Sequence, residues 1–353
     1  MPNWRIGLIG TIYFVGYIVG STYFPRLADI YGRKPFVVVG ALLQSICGLL
    51  LLYSNNLNLI YANMFMIGVA SPFLASIGYN YVIELIPNSM ENAVNTFIMC
   101  SDACGSLIGI LYFTYFSKSV DLFLLIVSCI GIFAALMHLI TPESPLFLKT
   151  DNISQQSSSE VFNSGEDNKQ GTIGNSASQR SENIAKETSV FDFVRNPILR
   201  TNIIVMIAIW STTSAGYYLI NFYMKYIGGT TMNNVFASVS SEIVASLLAS
   251  IIFEYLGAKS SLLLFFMISA VAGGISCFGV INPTLITLLI MICKFGVSAA
   301  YCLIYITTTR IFPSVYSATA FGICNVFARV VTALIPMIIE LPAPMPMIFF
   351  SAS

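Results

Sequence analysis

Ten apolar runs, each roughly 20 residues long, dictate the solvent in which this chain folds. They cover 6–24, 35–53, 57–79, 93–116, 120–140, 203–223, 235–253, 261–281, 284–305 and 318–339. An α-helix rises about 1.5 Å per residue, so a run of this length crosses a hydrocarbon core about 30 Å thick. Charged residues make up 9% of the chain and the mean hydropathy is +0.81, too little polar surface for a globule in water. Barrel strands would show short segments of alternating polarity, whereas these runs are continuous and rich in Leu, Ile and Phe. The expectation is an all-α, multi-pass transmembrane protein.

Charge placement orients the spans. With the loop after the first run in the cytoplasm, that side carries Arg26, Arg33, Lys34, Lys149, Lys169, Arg180, Lys186, Arg195, Arg200, Lys259 and Arg310. The opposite side carries Arg5, Lys118 and Lys225. The positive-inside rule then makes the central polar loop cytoplasmic, in the plasma membrane or an organelle membrane. A net charge of zero leaves no electrostatic footprint for nucleic acid. All eight cysteines lie in apolar runs without a CxxC pair, which points to packing residues rather than a disulfide framework or a zinc site. No phosphate-binding loop, metal-ligand cluster or nucleophile constellation stands out, so no enzyme activity and no cofactor is expected.

Residues 149 to about 188 are rich in Ser, Asn, Gln, Glu and Gly and hold almost no large apolar side chains, the composition of a flexible linker. It divides the chain into a membrane half at 1–148, a linker with an amphipathic end at 149–200, and a second membrane half at 201–353. The halves repeat. Asp29-x-x-Gly32-Arg33-Lys34 has a weaker counterpart in Glu254-x-x-Gly257-Ala258-Lys259, and Glu84-Leu-Ile-Pro87 is matched by Arg310-Ile-Phe-Pro313 with the lead charge reversed. Asp29 and Glu84 stand 55 residues apart, Glu254 and Arg310 56. Both copies follow equivalent spans on one side, so the halves read as parallel repeats about an axis along the membrane normal.

At these residues the chain resembles the major facilitator superfamily, in its organic cation and anion transporter branch, which is itself similar to the sugar porters. The loop from Asp29 to Lys34 looks like that superfamily's signature loop, departing from it at Pro25 and Ile30. Pro142-Glu143-Ser144-Pro145-Leu146-Phe147-Leu148 resembles the segment after the family's sixth helix, and Tyr217-Tyr218 its seventh. The densest match runs from Lys294-Phe-Gly-Val-Ser-Ala-Ala-Tyr301 to Gly322-Ile-Cys-Asn-Val-Phe-Ala-Arg329, with Arg310 where an acid is usual. The resemblance implies a two-half helical bundle, with about ten complete spans of an expected twelve. It sets the first run on the family's second helix, so the first helix and most of the twelfth would be lacking.

A charge at a helix centre costs roughly 2.5–3.5 kcal/mol on insertion scales, which singles out Asp102, Glu242, Lys294 and Arg329 within the runs. Lys294 and Arg329 lie about 15 Å deep, near the midplane. Glu242 with Lys294, or Asp102 with Arg329, would form ion pairs that hold helices together. In the other reading, Arg329 or Lys294 presents a fixed cation to a carboxylate or sulfate, beside an aromatic wall of Trp210, Tyr217, Tyr218 and Phe222. The resemblance places Glu242, Lys294 and Arg329 near a midplane cavity, and a base at the Arg329 position resembles the anion and zwitterion carriers. It also implies a latch on the outward-facing state built from Asp29, Gly32, Arg33, Lys34, Glu84, Glu143, Glu254, Lys259 and Arg310, able to bridge the halves. Ordinary loop charges around a turn glycine are the alternative. His138 reads as an interfacial histidine, and Gly16 with Gly20 as a small face for close helix packing.

The expected function is secondary transport of a small organic ion, an anion or zwitterion, by alternating access, with or without a coupling ion. The partners are then the solute and membrane lipid. Sugar transport is the competing carrier function, and a non-transporting relative acting as a sensor or binding protein is the competing class.

Overall fold

A computed structural model describes residues 3–54, 56–145, 147–148, 195–224, 231–277, 283–312 and 314–340. The 149–194 part of the linker lies outside the described residues, as do Lys225, Pro313, the side chains of Arg26 and Asp29, and everything after residue 340. Among the described residues there is no strand. That follows from lipid as solvent, where only a helix satisfies each backbone N–H and C=O within its own segment.

The first half comprises α1 (Asn3–Tyr31), α2 (Lys34–Leu52), α3 (Leu57–Pro72), α4 (Tyr79–Leu85), α5 (Glu91–Leu111) and α6 (Val120–Ile140). The second comprises α7 (Pro197–Tyr223), α8 (Thr231–Cys277), α9 (Pro283–Ile311), α10 (Ser314–Thr332) and the short α11 (Ile335–Ile339). Local signals start these helices where they begin. Asn196 accepts the N–H of Ile198 ahead of Pro197, and Asn56 accepts that of Asn58.

Two elements depart from simple spans. α3 and α4 form one membrane crossing, joined by a wide π turn at Phe73–Gly78 directly after Pro72, whose ring removes a donor from the ladder. α8 is two helices that meet at Gly257, whose φ of 75° and ψ of 173° are a conformation essentially restricted to glycine. The Ser261 hydroxyl bonds both the Gly257 carbonyl at 2.7 Å and the Ile252 carbonyl at 3.3 Å. Nine residues of straight helix would separate Ser261 from Ile252 by about 13 Å, so the chain folds back at Gly257. α8 therefore supplies two crossings, and the described residues account for all ten apolar runs.

Close packing follows the small residues. A Cβ on Gly16 or Gly20 would overlap the carbonyls of Phe65 and Val69, and one on Gly68 that of Tyr13, so α1 and α3 lie backbone to backbone. α2 packs on α6, α7 on α10, and α8 on α9. The two halves meet along two seams, α1 against α10 and α11, and α5 against α8 and α9. The end at which α6 stops and α7 starts is the linker side.

Candidate functional site

Arg329 lies within the crossing Ala320–Ile339, in the last turn of α10, where the carbonyl end of the helix dipole favours a cation. It is 2% exposed. Its Nε donates to Asn325 Oδ1 at 3.2 Å, one terminal nitrogen to the Tyr218 hydroxyl at 2.8 Å, and the other to the Tyr301 hydroxyl at 3.2 Å. The guanidinium carbon stands 4.2 Å over the Tyr17 ring. A guanidinium has five N–H bonds, so two make no hydrogen bond among the described residues. Among the described residues no carboxylate forms a salt bridge with Arg329, which leaves a buried cation held by neutral oxygens and π faces.

This cation borders a cavity of about 500 Å³ between the halves. Tyr218, Tyr301, Tyr305 and Arg329 line it from the second half, and Tyr13, Tyr17, Gln44, Ser71 and Asp102 from the first. The Asp102 side chain is exposed to the cavity and has no hydrogen bond or salt bridge among the described residues. The cavity thus offers a cation on one wall, a carboxylate on another and tyrosine faces between them. His138, expected at the interface, also lines it.

Glu242 and Lys294 form a separate buried cluster. Lys294 Nζ lies 3.2 Å from Glu242 Oε2, donates to Asn221 Oδ1 at 2.7 Å and sits 3.5 Å over the Tyr217 ring. The Tyr217 hydroxyl donates to Glu242 Oε1 at 2.6 Å. Of the two ion pairs expected from the sequence, the structure forms Glu242 with Lys294; Arg329 bonds to tyrosines and Asn325 in place of Asp102. Tyr217 stacks on Tyr301 with centroids 4.8 Å apart, so the cluster backs directly onto the Arg329 site.

The expected aromatic wall is only partly on the cavity. Of Trp210, Tyr217, Tyr218 and Phe222, Tyr218 lines it. Successive helical residues are about 100° apart, so Tyr217 and Tyr218 face different ways, one to Glu242 and the other to Arg329. Trp210 is fully buried behind the cavity, donating from Nε1 to Thr308 Oγ1 at 2.9 Å and packing on Tyr305 and Phe321. Phe222 is 37% exposed and away from the cavity. Tyr13, Tyr17, Tyr301 and Tyr305 were not singled out by the sequence, although each pair has the four-residue spacing of one helix face.

The loop motif assembles on the linker side. Gly32 adopts φ 94°, which turns the chain so that one carboxylate oxygen, Glu143 Oε1, accepts the N–H groups of Arg33 at 3.0 Å, Lys34 at 3.1 Å and Ser144 at 3.0 Å. This anion caps the positive end of α2. Arg33 pairs with Glu84, to which the Ser144 hydroxyl donates, and Lys34 Nζ donates to the Leu139 carbonyl at 2.8 Å. These contacts lie within the first half. The counterpart behaves differently: Glu254 accepts from Asn92 of the first half at 2.8 Å, Lys259 is exposed, and Arg310 stands 4.8 Å over Phe253.

The sequence pattern of the Major Facilitator Superfamily matches residues 5–336. The human organic cation/carnitine transporter 2 is 23% identical over 350 residues, covering 97% of this chain and 62% of the relative. Solute carrier family 22 member 15 of Xenopus tropicalis is 24% identical over 351 residues, covering 95% and 64%. The chain therefore spans less than two thirds of the length of these relatives. The crystal structure of a D-xylose-proton symporter superposes with a TM-score of 0.67 at 15% identity, covering 98% of this chain and 80% of that one, a likeness of fold. With its two packed halves and a pattern match across nearly all its length, the chain belongs to the Major Facilitator Superfamily.

Proposed function

We propose that the chain carries a small organic zwitterion across the membrane by alternating access, binding it in the cavity between the halves. One observation carries this reading: Arg329 is a buried cation with two unused N–H bonds, bordering a cavity and lacking a carboxylate partner among the described residues. Keeping a charge in a membrane without a counter-ion is costly, and an incoming carboxylate supplies one. The free Asp102 carboxylate and the tyrosine faces suit an ammonium group at the other end of the same solute. Relatives named for organic cation and carnitine transport make carnitine, which holds both charges, the first solute to try.

The protein in proteoliposomes is expected to accumulate radiolabelled carnitine. Arg329→Ala should lower uptake at least tenfold, and Arg329→Lys should restore only part of it, because an ammonium lacks the guanidinium's fork. Asp102→Asn should weaken carnitine uptake while sparing a monoanion that lacks the ammonium. Binding without flux would overturn transport, undiminished uptake by Arg329→Ala would overturn the anchor, and uptake of D-xylose in place of carnitine would favour a sugar carrier.

A further inference from the structure

The first-half lining of the cavity contains a group that neither charge of a zwitterion uses. Tyr13, Gln44 and Ser71 come from α1, α2 and α3, all line the cavity, and all are neutral. Ser71 Oγ is their hub. It donates to the Ile67 carbonyl one turn earlier at 2.8 Å, receives the Tyr13 hydroxyl at 3.0 Å and receives Gln44 Nε2 at 3.2 Å.

A serine hydroxyl has one hydrogen, and here it is committed to Ile67. Both neighbours must therefore donate to Ser71, which fixes the orientation of the Gln44 amide. Its nitrogen faces Ser71 and its carbonyl oxygen faces elsewhere. Among the described residues Oε1 has no hydrogen-bond partner, and it is not among the buried polar atoms left unpaired, so it is open on a residue that lines the cavity. The amide keeps a second N–H as well, so it offers both an acceptor and a donor.

We infer that Gln44, held in place by Ser71 and Tyr13, is a subsite for a neutral hydroxyl group on the solute. This rests on the zwitterion reading of the same cavity and makes it more specific. A charged group would find no counter-charge among Tyr13, Gln44 and Ser71, whereas a hydroxyl donates to Oε1 and accepts from the remaining N–H. Gln44 and Ser71 discriminate between solutes here and do not supply the binding of either charge. A site built to hydrogen-bond a hydroxyl penalises the analogue that lacks it, because its polar groups are then left unpaired.

The test is equilibrium binding to the full chain in lipid nanodiscs, with two probes that differ in one group: carnitine and its deoxy analogue 4-trimethylammoniobutanoate. The wild type should bind carnitine about tenfold more tightly than the deoxy probe. Gln44→Leu should lose the preference, binding the two probes within about twofold of each other, and Ser71→Ala, which releases the amide, should reduce it. Equal affinity of the wild type for both probes, or a preference that survives Gln44→Leu, would overturn the subsite and leave the zwitterion reading standing. Failure of the wild type to bind either probe would overturn both. If Gln44→Leu fails to fold, Ser71→Ala and the wild-type ratio still decide the matter.

Discussion

Glu242 and Lys294 are opposite charges buried in one half, and breaking such a pair differs from removing it. Lys294 is fully buried, so Glu242→Gln leaves its ammonium with Asn221, the face of Tyr217 and the more distant charge of Asp102. A single loss of this kind costs about 3–5 kcal/mol, while replacing both partners by neutral groups is often close to neutral. Thermal unfolding in detergent should therefore rank Glu242→Gln and Lys294→Met as strongly destabilised and the double variant well above either. A double variant no better than the worse single one would assign the cluster a role other than holding helices together. These charges were legible in the sequence because an ion in an apolar run is conspicuous. Of the two pairings the sequence offered, Glu242 with Lys294 forms and Asp102 with Arg329 does not, since span position gives depth but not the azimuth that decides whether Asp102 meets Arg329. The tyrosines around Arg329 were hidden for another reason. The chain has 18 tyrosines, and a phenol that stacks in a core looks the same in sequence as one that bonds a guanidinium.

Apolar length predicts elements well here because a crossing helix must contain a fixed number of residues, and all ten runs are matched by crossings. Hydropathy does not report hydrogen-bond register, so the π turn at Phe73–Gly78 was invisible, whereas the turn at Gly257 falls between two apolar runs, in the loop motif the repeat marked. The two positive-φ glycines of the repeated loops invite a direct comparison. At Gly257 an added Cβ would meet nothing within 4 Å, so alanine there bears only the backbone penalty, about 1–3 kcal/mol. At Gly32 the same Cβ would stand 2.8 Å from Glu143 Oε2, pushing on the carboxylate that caps α2. Gly32→Ala should lower the melting temperature more than Gly257→Ala, and shortening Glu143 in the same background should recover part of the difference. Equal losses at the two sites would show that the Glu143 cap contributes little.

At the scale of the whole molecule, the repeat visible in the sequence gave the halves but not how they touch. The first-half loop is joined within its own half through Arg33, Glu84 and Glu143, whereas the contacts between halves on the linker side combine Glu254 of the repeat with residues the repeat did not mark. Asn92 reaches Glu254, Thr309 donates to Glu91 at 3.0 Å, and Asn95 donates to the Cys302 carbonyl at 3.2 Å. Between the halves lie buried polar atoms with no hydrogen-bond partner among the described residues: the side-chain oxygens of Asn92 and Asn95 and the hydroxyl of Tyr79, which stacks on Phe321 of the second half. Each unsatisfied group costs about 1–3 kcal/mol that water would return on separation, which limits the stability of the contact between the halves. Under the proposed alternating access, that balance is what rocking between two states requires. Asn95→Leu replaces an amide whose oxygen has no partner among the described residues with an apolar side chain of similar size, at the loss of its bonds to the Cys302 carbonyl, already within α9, and to Cys302 Sγ. It should raise the melting temperature, slow hydrogen exchange at the linker-side ends of α5 and α9, and reduce uptake severalfold by favouring the closed state. Thr309→Val, which removes the hydroxyl that Glu91 accepts, should speed exchange at the same ends. If Asn95→Leu leaves exchange unchanged or accelerates it, the unpaired amide is not what keeps the seam ready to open.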